Sequence, residues 1–181
     1  MAVKPIFILS QGEIADTDSL LRQKSEPVRT GDDISSIIQD LRDTLYGCEI
    51  AVGLAAIQIG YPKRIFILNL KKSDRSGEKV FINPELTGRD EQIEAGDEVC
   101  MSIPNLIGKV YRSAKVTIKY SNETGQRLSE LVLGFEARVV QHEMDHLDGV
   151  LYTDRMDNLS NLEEVEFFFE ENYPLQAKKT V

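Results

Sequence analysis

The chain has 181 residues, 41% of them hydrophobic and 28% charged, which fits one domain long enough to bury a core. Its net charge of −9 repels phosphate backbones and argues against binding free nucleic acid. No apolar run nears the roughly 20 residues that cross a bilayer, and residues 1–10 lack the features of a signal peptide, so a cytoplasmic protein without a membrane anchor is expected.

Residues 16–26 predict a short helix stopped by Pro27. A second helix is marked by Ile34, Ile37, Ile38, Leu41 and Leu45 on one face. Asp32 or Asp33 caps its start and Gly47 ends it. The small-residue run from Ala51 to Gly60 suits close approach of a backbone, and Gln58 is its only side-chain amide. Residues 64–70 read as a buried strand and residues 71–79 as a hairpin turn. A second strand over 80–84 is ended by Pro84. Residues 87–98 are acidic and read as a surface segment leading to Cys100. Alternation over 110–120 predicts a half-buried antiparallel strand, and 122–125 a turn. A further strand covers 128–133, and a helix runs from about Phe135 to Leu147 with Gly149 as a left-handed C-cap. Ser160–Glu163 looks like a capping box opening a last helix over about 160–173. Its apolar stripe is Leu162, Val165, Phe168, Phe169 and Tyr173, read as core packing, and its other face is acidic. Without a repeating βα pattern, the fold class is α+β with antiparallel or mixed strands.

Both histidines of the chain lie in Gln141-His142-Glu143-Met144-Asp145-His146. Residues four apart share a helix face, so two imidazoles can hold one metal ion, and Glu143 lies close enough to act on a water beside it. Chance gives this arrangement in about one shuffled chain in a thousand, which outweighs the competing reading of a solvated helix face. A hydrolytic site usually needs a third protein ligand. The candidates are the carboxylates Asp154, Asp157, Glu163, Glu164 and Glu166, or Cys100, which sits beside Glu98 and Ser102. A carboxylate would make a zinc metallopeptidase. Cys48 has no such context and reads as structural.

Three stretches together resemble the peptide deformylase family. They are Ala51-Val52-Gly53-Leu54-Ala55-Ala56-Ile57-Gln58, Glu98-Val99-Cys100-Met101-Ser102 and Gln141-His142-Glu143-Met144-Asp145-His146. The resemblance covers about residues 5–158 of a single domain spanning 1–181. It departs from the family motifs at Ala51 and Val99, where the family has glycine, and lacks an arginine after Pro104. It implies sheets wrapped around the HExxH helix, followed by the C-terminal helix.

The resemblance also implies a site. Cys100 becomes the third ligand beside His142 and His146, and the physiological metal is ferrous iron, with zinc, nickel or cobalt able to substitute. Glu143 is the proton shuttle; Gln58 and the Met101 backbone N–H stabilise an oxyanion; Gly53 and Leu54 bind substrate. The implied reaction removes the formyl group from N-formylmethionyl nascent peptides and releases formate. The acidic last helix, with only Lys178 and Lys179 beyond it, makes any ribosome contact weak. The alternatives are the zinc metallopeptidase and a deformylase-like binding protein with weakened catalysis.

Overall fold

The computed structural model of the chain describes residues 3–48, 50–71, 74–165 and 175–176. The elements in order are β1 (Ile6–Phe7), α1 (Ile34–Gly47), β2 (Gly53–Ala55), β3 (Ile65–Leu68), β4 (Lys79–Arg89), β5 (Ile93–Cys100), β6 (Ile103–Ser113), β7 (Lys115–Ser121), β8 (Arg127–Leu133), α2 (Gly134–Leu147), β9 (Glu163–Glu164) and β10 (Leu175–Gln176). The five-stranded sheet has the order β2-β3-β4-β7-β8, antiparallel throughout. A second sheet has the order β5-β6-β9, also antiparallel, and β1 pairs with β10 in parallel. This is the expected α+β class, with α2 packed against strands of both larger sheets.

The spacing of Ala137, Val140, Met144 and Leu147 puts one face of α2 into the main core. There it meets a core in which the rings of Phe66 and Phe81 stack at 4.4 Å between centroids and Tyr120 tilts against Phe81 at 4.3 Å. Each such buried side chain contributes about 1.5–3 kcal/mol. Gln141, Glu143, Asp145 and His146 are also buried, so α2 carries polar groups into the interior that need partners there. A second core packs the apolar face of α1 (Ile37, Ile38, Leu41, Leu45) against Leu54, Ile65 and Ile67, and Cys48 is buried within it. Asp33 caps α1 by accepting from Ser36 N, as the sequence suggested. Among the described residues, no helix is long and apolar enough to cross a membrane.

Several expectations need correction. Residues 16–26 do not form a helix beyond one 3₁₀ turn at Leu20–Arg22. The backbone N–H of Ser25 instead donates to Leu147 O and that of Glu26 to Pro62 O, so neighbouring chain takes the groups a helix would use. Pro84 does not end its strand, and β4 continues to Arg89. The proline sits where the β4–β7 register breaks between Ile82 and Glu85, so its missing N–H costs no ladder bond. The acidic segment over 87–98 does lie at the surface except for Glu98, but it is the end of β4 and the first six residues of β5 rather than irregular chain. Outward carboxylates such as Glu94 and Asp97 hid its strand character. The start of the last helix is not seen: Leu159–Asn161 is a 3₁₀ turn capped by Asn158, followed by β9 on β6. Residues 166–173 of that expected helix, with its remaining apolar and acidic positions, lie outside the described residues.

Gly149 does take the left-handed conformation, at φ 73°, behind the end of α2. A Cβ there would overlap the Arg22 carbonyl oxygen, which is backbone and cannot turn aside. Gly149→Ala is therefore expected to destabilise the protein by about 2 kcal/mol or more, several degrees in thermal midpoint. An unchanged melting curve would contradict this role.

Candidate metal centre

Helix α2 places His142 and His146 one turn apart, with ring centroids 5.0 Å apart. Strand β5 supplies Cys100. Residues alternate across a strand, so Glu98 and Cys100 both point inward while Val99 points out. The β5–β6 register breaks between Val99 and Cys100, turning the chain sharply at Met101 and Ser102. Cys100 Sγ thereby comes 3.2 Å from His146 Nε2. One ligand atom from each of Cys100, His142 and His146 lies within 4.8 Å of the others. Of the carboxylate candidates, Asp154 is held by Arg22 and by the Leu151 N–H. Asp157, Glu163 and Glu164 are exposed, and Glu166 lies outside the described residues.

Glu98 is the residue that sequence reasoning passed over. Its carboxylate is buried and accepts from Arg112 Nε at 2.9 Å and Nη2 at 2.8 Å, and from Arg138 Nη1 at 2.8 Å. It also takes His142 Nδ1 at 2.9 Å. Donating Nδ1–H to Glu98 leaves the Nε2 lone pair of His142 free for a cation. Arg112 continues the network to Asp145, which Arg155 also binds at 2.7 Å. Burial alone would raise the Glu98 carboxyl, but the hydrogen bonds from Arg112 and His142 outweigh it and hold it well below the usual carboxylate range. A signal was present in the sequence. Glu98 is two positions before Cys100 on a strand, and Arg138 is four before His142 on a helix, so each shares a face with a candidate ligand.

Glu143 is buried against β2. A Cβ on Gly53 would lie 2.5 Å from Glu143 Oε1, so the glycine makes room for this carboxylate. Burial pushes the Glu143 carboxyl up to about 7. Its Oε2 and the Nδ1 of His146 are buried without a hydrogen-bond partner among the described residues. Gln58 Oε1 accepts from Ala55 N at 2.8 Å, which fixes the amide and turns Nε2 toward Ser102 Oγ (3.1 Å) and Cys100 Sγ (3.7 Å).

A cleft of about 290 Å³ opens on this cluster, and Gly53, Gln58, Cys100, Met101, His142 and Glu143 all line it. Ala51 and Val99 line it too. The Leu54 side chain does not, being fully buried in the second core, so only its backbone remains available to a substrate. The residues fit a metal. A thiolate and two imidazoles are good donors for a divalent transition metal, and an orphaned carboxylate oxygen beside them suits a polar guest.

The charge network yields an expectation. With its folded pKa depressed below the ordinary 4.5, Glu98 contributes stability that is present above that value and is lost as pH falls. Glu98→Gln leaves Arg112 short of a buried partner and is expected to cost about 3–5 kcal/mol near neutral pH. The gap between metal-free wild type and variant should narrow as pH drops below the carboxylate range. Denaturant unfolding at neutral and acidic pH checks this, and a gap independent of pH would contradict it.

Comparison with known proteins gives a consistent result. The family model for polypeptide deformylase matches residues 13–162. The chain is 44% identical over 138 residues to the peptide deformylase of Pseudothermotoga lettingae, covering 76% of this chain and 77% of that protein. It is 38% identical over 161 residues to that of Rhizobium meliloti, covering 88% of each. The crystal structure of a peptide deformylase from Legionella pneumophila superposes with a TM-score of 0.78 at 32% identity, covering 88% of this chain and 89% of that one. These matches do not favour a zinc metallopeptidase or a non-catalytic relative. With its α+β fold and its HExxH helix facing a cysteine strand, the chain belongs to the peptide deformylase family, whose members are metal-dependent hydrolases.

Proposed function

We propose that this chain deformylates N-formylmethionyl peptides of nascent proteins through Cys100, His142 and His146 as ligands of one divalent cation, with Glu143 as the proton shuttle. The observation that supports this most is the orphaned Glu143 Oε2, buried at a cleft that Cys100 and His142 also line, with His146 within 4.8 Å of both in the ligand cluster. A cation held there would supply Lewis acidity, lowering the pKa of a water and polarising the formyl carbonyl. Iron(II) is the proposed physiological metal, and zinc, nickel or cobalt suit the same donors.

Glu143 takes a proton from the attacking water and returns it to the leaving amine, so water and the formamide give formate and a free amino terminus. A carboxyl near pH 7 suits both directions of that transfer. The Gln58 Nε2 and the Met101 backbone N–H are proposed to stabilise the developing oxyanion. Ser102 and Ala55 hold Gln58 in the orientation this requires. The backbones of Gly53 and Leu54, on the edge strand β2, are proposed to pair with the substrate backbone. Glu163 and Glu164 present negative charge on β9, consistent with weak ribosome association. Action on nascent chains would place the protein in the cytoplasm.

Formate release from formyl-Met-Ala after anaerobic iron loading tests the reading. Glu143→Ala should bind metal nearly as wild type yet lose turnover by roughly 100-fold or more. Substantial residual activity would remove Glu143 from the shuttle role. Cys100→Ser should weaken metal binding, and unchanged affinity would point to a carboxylate ligand. Cleavage of internal peptide bonds would instead support the metallopeptidase, and tight metal binding without turnover the weakened relative.

A further inference from the structure

The hydrogen bond between His142 Nδ1 and Glu98, at 2.9 Å, fixes one atom of the imidazole and leaves its plane free to turn about that bond. The turn matters, because the Nε2 lone pair lies in the ring plane and swings with it. A second contact, on the face of the ring, removes this freedom, and Tyr152 makes it. Its ring lies 6.1 Å from that of His142 between centroids, at an interplanar angle of 20°. Those are the dimensions of an offset aromatic pair.

Tyr152 is itself firmly held. It is buried, and its hydroxyl donates to the Leu106 carbonyl oxygen on β6 at 3.1 Å. It opens a 3₁₀ turn, Tyr152–Arg155, whose other residues are tied down as well. Asp154 accepts from Arg22 and from the Leu151 N–H, and Arg155 donates to Asp145 of α2 at 2.7 Å. Gly108 on β6 leaves the ring its space, since a Cβ there would lie 3.2 Å from Tyr152 Cε2 and closer still to Met156. Tyr152 does not line the cleft, so it is placed to act on His142 and not on a substrate.

We propose that Tyr152 is a positioning residue. Glu98 holds one edge of the His142 imidazole, the Tyr152 ring lies against its face, and together they aim Nε2 at the point shared with Cys100 and His146 before a cation arrives. This rests on the reading of His142 as a metal ligand. The ring does the aiming and the hydroxyl only anchors it, so phenylalanine can stand in for tyrosine and an aliphatic side chain cannot.

The test measures zinc affinity by chelator competition and, in cobalt-loaded protein, the paramagnetically shifted Nδ1–H resonance of His142. Tyr152→Leu should bind zinc about three- to tenfold more weakly, which is what one aromatic pair amounts to, and Tyr152→Phe should stay within about twofold of wild type. The resonance should move in the leucine variant and stay in place in the phenylalanine variant. Leu41→Ala, in the second core, lowers stability away from the centre and should move neither reading. Wild-type affinity with an unmoved resonance in Tyr152→Leu would overturn the proposal. Equal losses in Leu41→Ala would trace the effect to stability alone and overturn it too, and equal losses in Tyr152→Phe would overturn it by assigning the role to the hydroxyl. Should Tyr152→Leu not fold, nuclear Overhauser contacts between the Tyr152 and His142 rings of wild type decide. Contacts of equal strength in metal-free and zinc-loaded protein are expected; contacts that arise only with zinc would mean that the metal sets the ring plane, and would overturn the proposal. Cobalt that shifts no histidine resonance would remove His142 as a ligand, and with it the reading on which the proposal rests.

Discussion

The site depends on the buried carboxylate of Glu98. Removing such a charge from water costs several kcal/mol unless it is matched by partners of good geometry. Glu98 has three: Arg112 from β6, Arg138 and His142 from α2. Arg112 in turn reaches Asp145, and Asp145 reaches Arg155. The result clamps the β5–β6 hairpin onto the helix through ionic bonds. Cys100 lies two residues along β5 from the clamp, so its distance from the histidines follows from where Glu98 is held. The same carboxylate sets the tautomer of His142. One group thus fixes both the position of the sulfur and the availability of a nitrogen.

Close packing around this clamp limits which residues are tolerated nearby. Gly96 leaves room for the Arg138 guanidinium, which a Cβ would approach to 2.7 Å. Gly53 does the same for Glu143 on the other wall of the cleft. Both glycines have ordinary backbone conformations, so space and not φ explains them. Around this rigid interior the cleft wall differs from the family motifs. Ala51 is buried at the cleft's edge and Val99 is exposed beside it, neither of them among the groups that hold Glu98 or Glu143. Substitution there changes what the cleft admits without breaking the network that builds the centre.

Features set by local spacing were readable from the chain. The His142–His146 pair, the cap at Gly149, the face of α1 and the strands around residues 110–133 each follow from residues a few positions apart. Features set by partners far along the chain were not. Glu98 meets His142 across 44 positions, and the acidic run that contains it looked like surface because its neutralising arginines come from β6 and α2. Residues 16–26 had helical local signals that lost to backbone bonds with Leu147 and Pro62. Pro84 stayed inside a strand because a register break absorbs it. Cys100 could not be chosen over nearby carboxylates from spacing alone, and its place as a ligand candidate came first from the family resemblance. Leu54 illustrates the opposite limit. It lies in the right motif, but strand alternation sends its side chain into the core.

X-ray absorption spectroscopy on the protein loaded anaerobically with one equivalent of iron or zinc tests the ligand set most directly. One sulfur at about 2.3 Å together with two imidazole nitrogens at about 2.0–2.1 Å is the expected first shell. A shell of nitrogen and oxygen alone, with no sulfur, would contradict the proposed centre of Cys100, His142 and His146.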